Sequence, residues 1–253
     1  MMKIYFFNWT SLKKWSMLIG LVVLLFTSIH YSSGLVSQQS DPTTQTGAIT
    51  RIESDKDEVA LTFNVAWGDD EVLEILEVLQ NHKVRATFFV NGDWALRNED
   101  IAKIIIEDQH EVGLLGFHDD PYIGRSEEYI EEDLKNGSDV LKRLDYEPLT
   151  FVRLPDNKFD QTIVEYIEDL GYQVVFWSHY ETIGDDAEPE QEAERISSDF
   201  DRGEIIVFPA SDNLTATSEV VDSLISQKLT DGYSFISLTE LLSPANIELR
   251  PIN

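Results

Sequence analysis

From about residue 58 the chain alternates short apolar runs, rich in β-branched and aromatic residues, with stretches whose apolar residues recur at helical spacing. This alternation constrains the fold more than any other feature. Runs at 59–65, 85–90, 110–115, 149–153, 173–178, 204–208 and 233–237 predict strands. Between them Val72, Ile75, Leu76 and Leu79 share one helical face, and Ile101, Ile104 and Ile105 a second. Ile130, Leu134, Leu141 and Leu144 make a third, Ile163, Ile167 and Leu170 a fourth, and Val220, Val221, Leu224, Ile225 and Leu229 a later one. Strands separated by helices require crossover connections and hence a parallel sheet. The spacing predicts one α/β domain, a distorted (β/α) barrel of about seven strands, with a doubly wound open sheet as the alternative. No G-x-G-x-x-G or Walker A run is present, so nucleotide binding has no support.

The N-terminus has a different character. Lys3, Lys13 and Lys14 precede the uncharged apolar run Trp15–Ile29, which extends to Tyr31. A basic flank followed by an apolar stretch is an export pattern, with the lysines held in the cytoplasm. The chain therefore divides into a basic segment at 1–14, a signal-anchor or signal peptide at 15–31, and a polar Ser/Thr/Gln-rich linker at 32–56. The main domain follows at 57–243 and a tail at 244–253. An uncleaved anchor is favoured, because 30–34 lacks an A-x-A cleavage site. Either way the domain is expected outside the cytoplasm, on the membrane through its N-terminal helix or secreted if the signal is cleaved.

Acidity and the absence of cysteine narrow the chemistry. With 19 basic and 47 acidic residues the net charge is −28, which argues against nucleic acid as a partner. No cysteine means no disulfide, thiol nucleophile or thiolate metal site.

The stretch "VALTFNVAWGDD", then "ATFFVNGDWA", "HEVG", an arginine-proline motif and a final "GEIIVF" run resemble, in this order, the NodB-homology polysaccharide deacetylases of carbohydrate esterase family 4. The first motif is closest to the sporulation-associated PdaB-like branch. The resemblance covers about 57 to 243 and implies a distorted barrel. It also implies an activity, removal of N-acetyl groups from chitin-like or peptidoglycan sugars by a divalent metal, usually zinc, with a base and an acid.

Residue by residue, that machinery is altered. The base position is Asn64, and an amide has no useful basicity. The neighbouring ligand position is Val65, and the two ligand histidines fall on Leu115 and Asp119. Arg153 and Pro155 survive from the third motif, with Asn157 in place of its glycine. Without a carboxylate at 64, Arg153 needs another partner, with Asp156 or the Asn64 amide available. Trp177 and Ser178 survive from the fourth motif, but its aspartate is Tyr180, and the acid histidine is Pro209. The expectation is a catalytically inactive protein that binds envelope glycan or a protein partner. Trp67, Asp69, Asp156, Trp177 and His179 are the cleft candidates, Trp177 foremost, with Asp69 and Asp70 equally able to cap a helix. No cofactor is expected. The alternative is an active carbohydrate N-deacetylase with a non-standard site, which alone needs zinc or another divalent metal, with His118 and Asp119 as its ligands.

Overall fold

A computed structural model describes residues 48–243, apart from 159, 185, 186 and 200 and the side chain of Asp156. The segments 1–14, 15–31 and 244–253 lie outside the described residues, so the anchor and the tail are not placed; among the described residues no helix is long and apolar enough to cross a membrane.

The strands are β1 (Glu58–Val65), β2 (Thr87–Val90), β3 (Glu111–Leu114), β4 (Phe151–Val152), β5 (Gln173–Val174), β6 (His179–Tyr180), β7 (Ile205–Pro209) and β8 (Ser234–Phe235). All strand pairs are parallel, in the order β5-β4-β3-β2-β1-β7-β6, with β8 also on β1. The parallel α/β architecture predicted from the alternation is present as a half-barrel rather than a regular ring. The run 173–178, predicted as one strand, is a strand only at its start, β5, which pairs with β4; β6 begins just beyond its end and pairs with β7, so the two edges of the sheet lie a few residues apart in sequence.

The long helices are α1 (Asp70–His82), α2 (Gly92–Arg97), α3 (Glu99–Glu107), α4 (Glu127–Arg143), α5 (Gln161–Asp169), α6 (Pro189–Ser198) and α7 (Thr217–Thr230), followed by the single turn α8 (Leu238–Leu241). Most of each apolar stripe is buried, as with Val72, Ile75, Leu76 and Leu79 of α1, but Ile104 of α3 and Leu229 of α7, expected on those faces, lie at their margins and are exposed. Along β1 the side chains alternate between two cores. Val59, Leu61, Phe63 and Val65 join the large cluster under the helices. Ala60 joins a smaller one with Phe89, Leu115, Phe151, Val175 and Ile205. By the same alternation Thr62 and Asn64 lie on the smaller cluster's face, which is why a polar group at position 64 meets the interior of the half-barrel.

The stretch 32–56, polar enough to read as linker, enters the fold before it ends. Ala48 is buried, Ile49 bridges Val175, and Arg51 bridges Glu204. The Ile52 amide donates to the Gly203 carbonyl. Gly203 has φ +70°, and a Cβ there would stand 1.7 Å from the Ile52 carbonyl oxygen, so this docking requires glycine. Composition misses it because the attachment is made largely by backbone hydrogen bonds.

Candidate functional site

Asn64 is the penultimate residue of β1, on the face toward the interior, beside Phe89 on β2 and Pro209 on β7. Its Oδ1 accepts a hydrogen bond from Arg153 Nη1 at 2.8 Å. The same nitrogen donates to Thr62 Oγ1 at 3.1 Å, while Nε donates to the Val175 carbonyl and Nη2 to that of Phe176. The guanidinium lies 3.9 Å from the Phe89 ring centre and 5.5 Å from that of Trp177. Arg153 is fully buried, and among the described residues every hydrogen-bond acceptor it has is neutral. Burial holds its pKa well below the usual arginine value, the nearby Tyr180 phenol opposing. Of the partners open to Arg153 in the sequence, the structure brings up the Asn64 amide; Asp156 lies in the turn Pro155–Asn157, with its side chain outside the described part.

Asn157, in the place of the motif's glycine, has φ +56°. Asparagine tolerates this left-handed conformation better than other non-glycine residues. Its Oδ1 accepts from Asn64 Nδ2 at 3.5 Å, and its side chain bonds the Tyr180 hydroxyl. Asn64, Arg153, Asn157, Tyr180 and Trp177 thus converge in one network in which the guanidinium meets only neutral groups. Trp177 packs against Phe176, Tyr180 and the guanidinium and is half-buried, so much of its face is already covered. The exposed platform among the cleft tryptophans is Trp67, 55% accessible. Trp94 is buried and donates its indole N–H to the Gly68 carbonyl, which is a packing role.

Two other sequence candidates point elsewhere. His179 alternates with Tyr180 along β6, and its Nε2 lies 3.2 Å from buried Glu204. The Glu204 carboxylate raises its pKa. Asp69 precedes α1, where no side-chain cap forms from it. The cap comes instead from Asp212, whose carboxylate accepts the Asp69 and Glu71 amides at 3.1 Å.

Beside the Asn64 network, a cleft of about 460 Å3 opens at the C-terminal ends of β1, β2 and β3. Ala66 and Trp67 line it after β1, Asn91, Asp93 and Arg97 after β2, and His118, Asp119 and Asp120 after β3. The loop after β3 is held by Asp133 of α4, which is 2% accessible. Its carboxylate accepts from the Phe117 amide (2.8 Å), the His118 amide (3.1 Å) and the Tyr122 hydroxyl (2.7 Å), and meets His118 Nδ1 at 2.7 Å. Asp133 and Asn91 were not among the sequence candidates. An acid on the apolar stripe of α4, between Ile130 and Leu134, and an asparagine before the helix at 92 are the signals that could have revealed them.

The zinc implied by the resemblance does not fit these side chains. Val65 and Leu115, at ligand positions, are buried and have no donor atom. His118 Nδ1 is engaged by Asp133, which leaves its Nε2, but with Asp119 this makes only two donors, and no third histidine or acid gathers with them among the described residues. Among the described residues one carboxylate grouping, Asp69, Asp70 and Asp212, could gather round an ion, but it stands at the N-terminus of α1, where Asp212 already accepts two amides. No catalytic step is therefore derived through a metal.

A polysaccharide deacetylase family model matches residues 51–175. A 30.6 kDa protein of Geobacillus stearothermophilus is 30% identical, over 78% of this chain and 75% of that one. The peptidoglycan-N-acetylglucosamine deacetylase of Bacillus cereus is 25% identical, over 82% and 98%. A solved carbohydrate esterase family 4 pseudoenzyme from Bacillus anthracis superimposes with a TM-score of 0.69 at 27% identity, over 78% of this chain and 69% of that one. The chain belongs to the polysaccharide deacetylase family, the NodB-homology group of carbohydrate esterase family 4.

Proposed function

We propose that this chain is a catalytically silent member of its family that binds envelope glycan outside the cytoplasm. The observation that carries the reading is the Asn64–Arg153 hydrogen bond. Where the family resemblance implies a carboxylate base, an amide accepts from the guanidinium and can take no proton. Two further losses accompany it. Pro209, in register beside Asn64, has no proton to donate, and buried Leu115 has no ligand atom. General acid–base catalysis is worth about 10²–10⁴-fold, so loss of both partners removes the usual route. The cleft, with its exposed tryptophan, supports retained glycan binding. Relatives named as peptidoglycan deacetylases, and the basic-then-apolar N-terminus, support a membrane-anchored place facing the wall.

The test is acetate release from N-acetylated peptidoglycan by the full chain supplemented with zinc. None is expected from the natural chain or from Asn64→Asp, because Leu115 and Pro209 remain. Acetate release by either overturns the reading in favour of an active N-deacetylase with a non-standard site.

A further inference from the structure

The cleft's charge and its unused polar groups define a ligand more narrowly than glycan. Three of its lining side chains are aspartates. Asp93 is held by Arg97 Nε and Nη2 at 3.1 and 2.9 Å, and Asp120 by Arg125 at 3.2 Å and the Tyr129 hydroxyl at 3.1 Å. Asp119 is exposed and, among the described residues, neither ion-paired nor hydrogen-bonded. A second observation is independent of charge. Asn91 lines the same cleft at 2% accessibility; its Oδ1 accepts from the Trp94 amide at 3.1 Å, and its Nδ2 has no partner among the described residues. A buried amide N–H without an acceptor is costly, and a turn of the Asn91 side chain toward the cleft lets a ligand oxygen supply one. Trp67 offers an exposed ring beside both.

We infer that the cleft of Trp67, Asn91 and Asp119 binds an amino sugar carrying a free, protonated amine. The ammonium pairs with Asp119 and sits near the electron-rich face of Trp67, and a ring oxygen or hydroxyl accepts from Asn91 Nδ2. An N-acetyl sugar offers no charge to Asp119. This places the protein after a de-N-acetylation reaction, as a reader of its product rather than its catalyst. The inference rests on the glycan-binding reading above.

The test is calorimetric titration of the full chain in non-ionic detergent with a glucosamine tetramer and, separately, an N-acetylglucosamine tetramer, at mildly acid pH. An exposed ion pair and a cation–π contact together predict about fivefold tighter binding of the amine form. Asp119→Asn should abolish that preference. Glu219→Gln, which removes the same charge from the separate acidic groove between α1 and α7, should preserve it, so general attraction to an anionic surface is told apart. Trp67→Ala should weaken both ligands. Equal or stronger binding of the acetylated form, or a preference that survives Asp119→Asn, overturns this inference and leaves glycan binding standing. Binding of neither tetramer overturns both.

Discussion

Replacing Asn64 by aspartate tests the central feature of the site, a fully buried guanidinium whose hydrogen-bond acceptors among the described residues are all neutral. Asn64 Oδ1 stands 2.8 Å from Arg153 Nη1, so a carboxylate of the same shape meets the charge without rearrangement. Removing one partner of a buried ion pair costs about 3–5 kcal/mol, and supplying the missing partner recovers a share of that. Position 64 is only partly buried, and aspartate forfeits the weak 3.5 Å bond from Nδ2 to Asn157. The net gain expected is about 2 kcal/mol, which raises Tm by about 4–8 °C in a domain of this size. The new carboxylate is held below its ordinary pKa by Arg153. Its contribution is therefore full above the unfolded value of about 3.9 and is lost as pH falls through the folded value. Urea and thermal unfolding of the variant at neutral and acid pH measure both effects. In an Arg153→Met background the gain should vanish. A variant less stable than the natural chain at neutral pH, or an equal gain without Arg153, would falsify the assignment of an uncompensated buried charge.

Two further outcomes follow from other parts of the domain. His110 is 6% accessible, accepts from the Ala86 amide through Nδ1, and is brought by burial from 6.5 down to about 4. A histidine with a depressed folded pKa stabilises the fold above the unfolded value and loses that contribution as pH falls toward the folded one. Stability should therefore drop by about 3 kcal/mol between these limits beyond the carboxylate contribution, and His110→Gln should remove that part of the slope in urea melts. Asp133→Leu strands at least three donors in the loop after β3. It should cost about 3–5 kcal/mol in unfolding free energy, and Asp133→Asn, keeping the shape and half the acceptors, should cost less.

The parallel α/β class was legible in the sequence because burial imposes its own period: Leu61, Phe63 and Val65 must alternate on a strand, and Val72, Ile75, Leu76 and Leu79 must recur on a helix, whatever they pack against. The departures from the family's motifs at Asn64, Leu115, Tyr180 and Pro209 were legible too, since residue identity and its chemistry are the same in any fold. The assignment of 173–174 and 179–180 to different neighbours was not, because two-residue strands carry too little pattern to name a partner and only the curl of the sheet brings one to β4 and the other to β7.

Side-chain direction and partnership were also decided by the tertiary structure. His179 and Tyr180 are adjacent in sequence, yet the strand's alternation sends one to Glu204 and the other to Asn157. Trp177 and Trp67 read alike as flat aromatic faces, and packing on Arg153 covers much of the first while the second stays open. Asp119 and Asp120 are neighbouring acids, but Arg125 and Tyr129 come to Asp120 and, among the described residues, no side chain pairs with Asp119. Residue chemistry is a property of the sequence alone; which groups satisfy one another, and which remain unspent in a cleft, depends on distances of a few ångströms between segments that only the folded chain brings together.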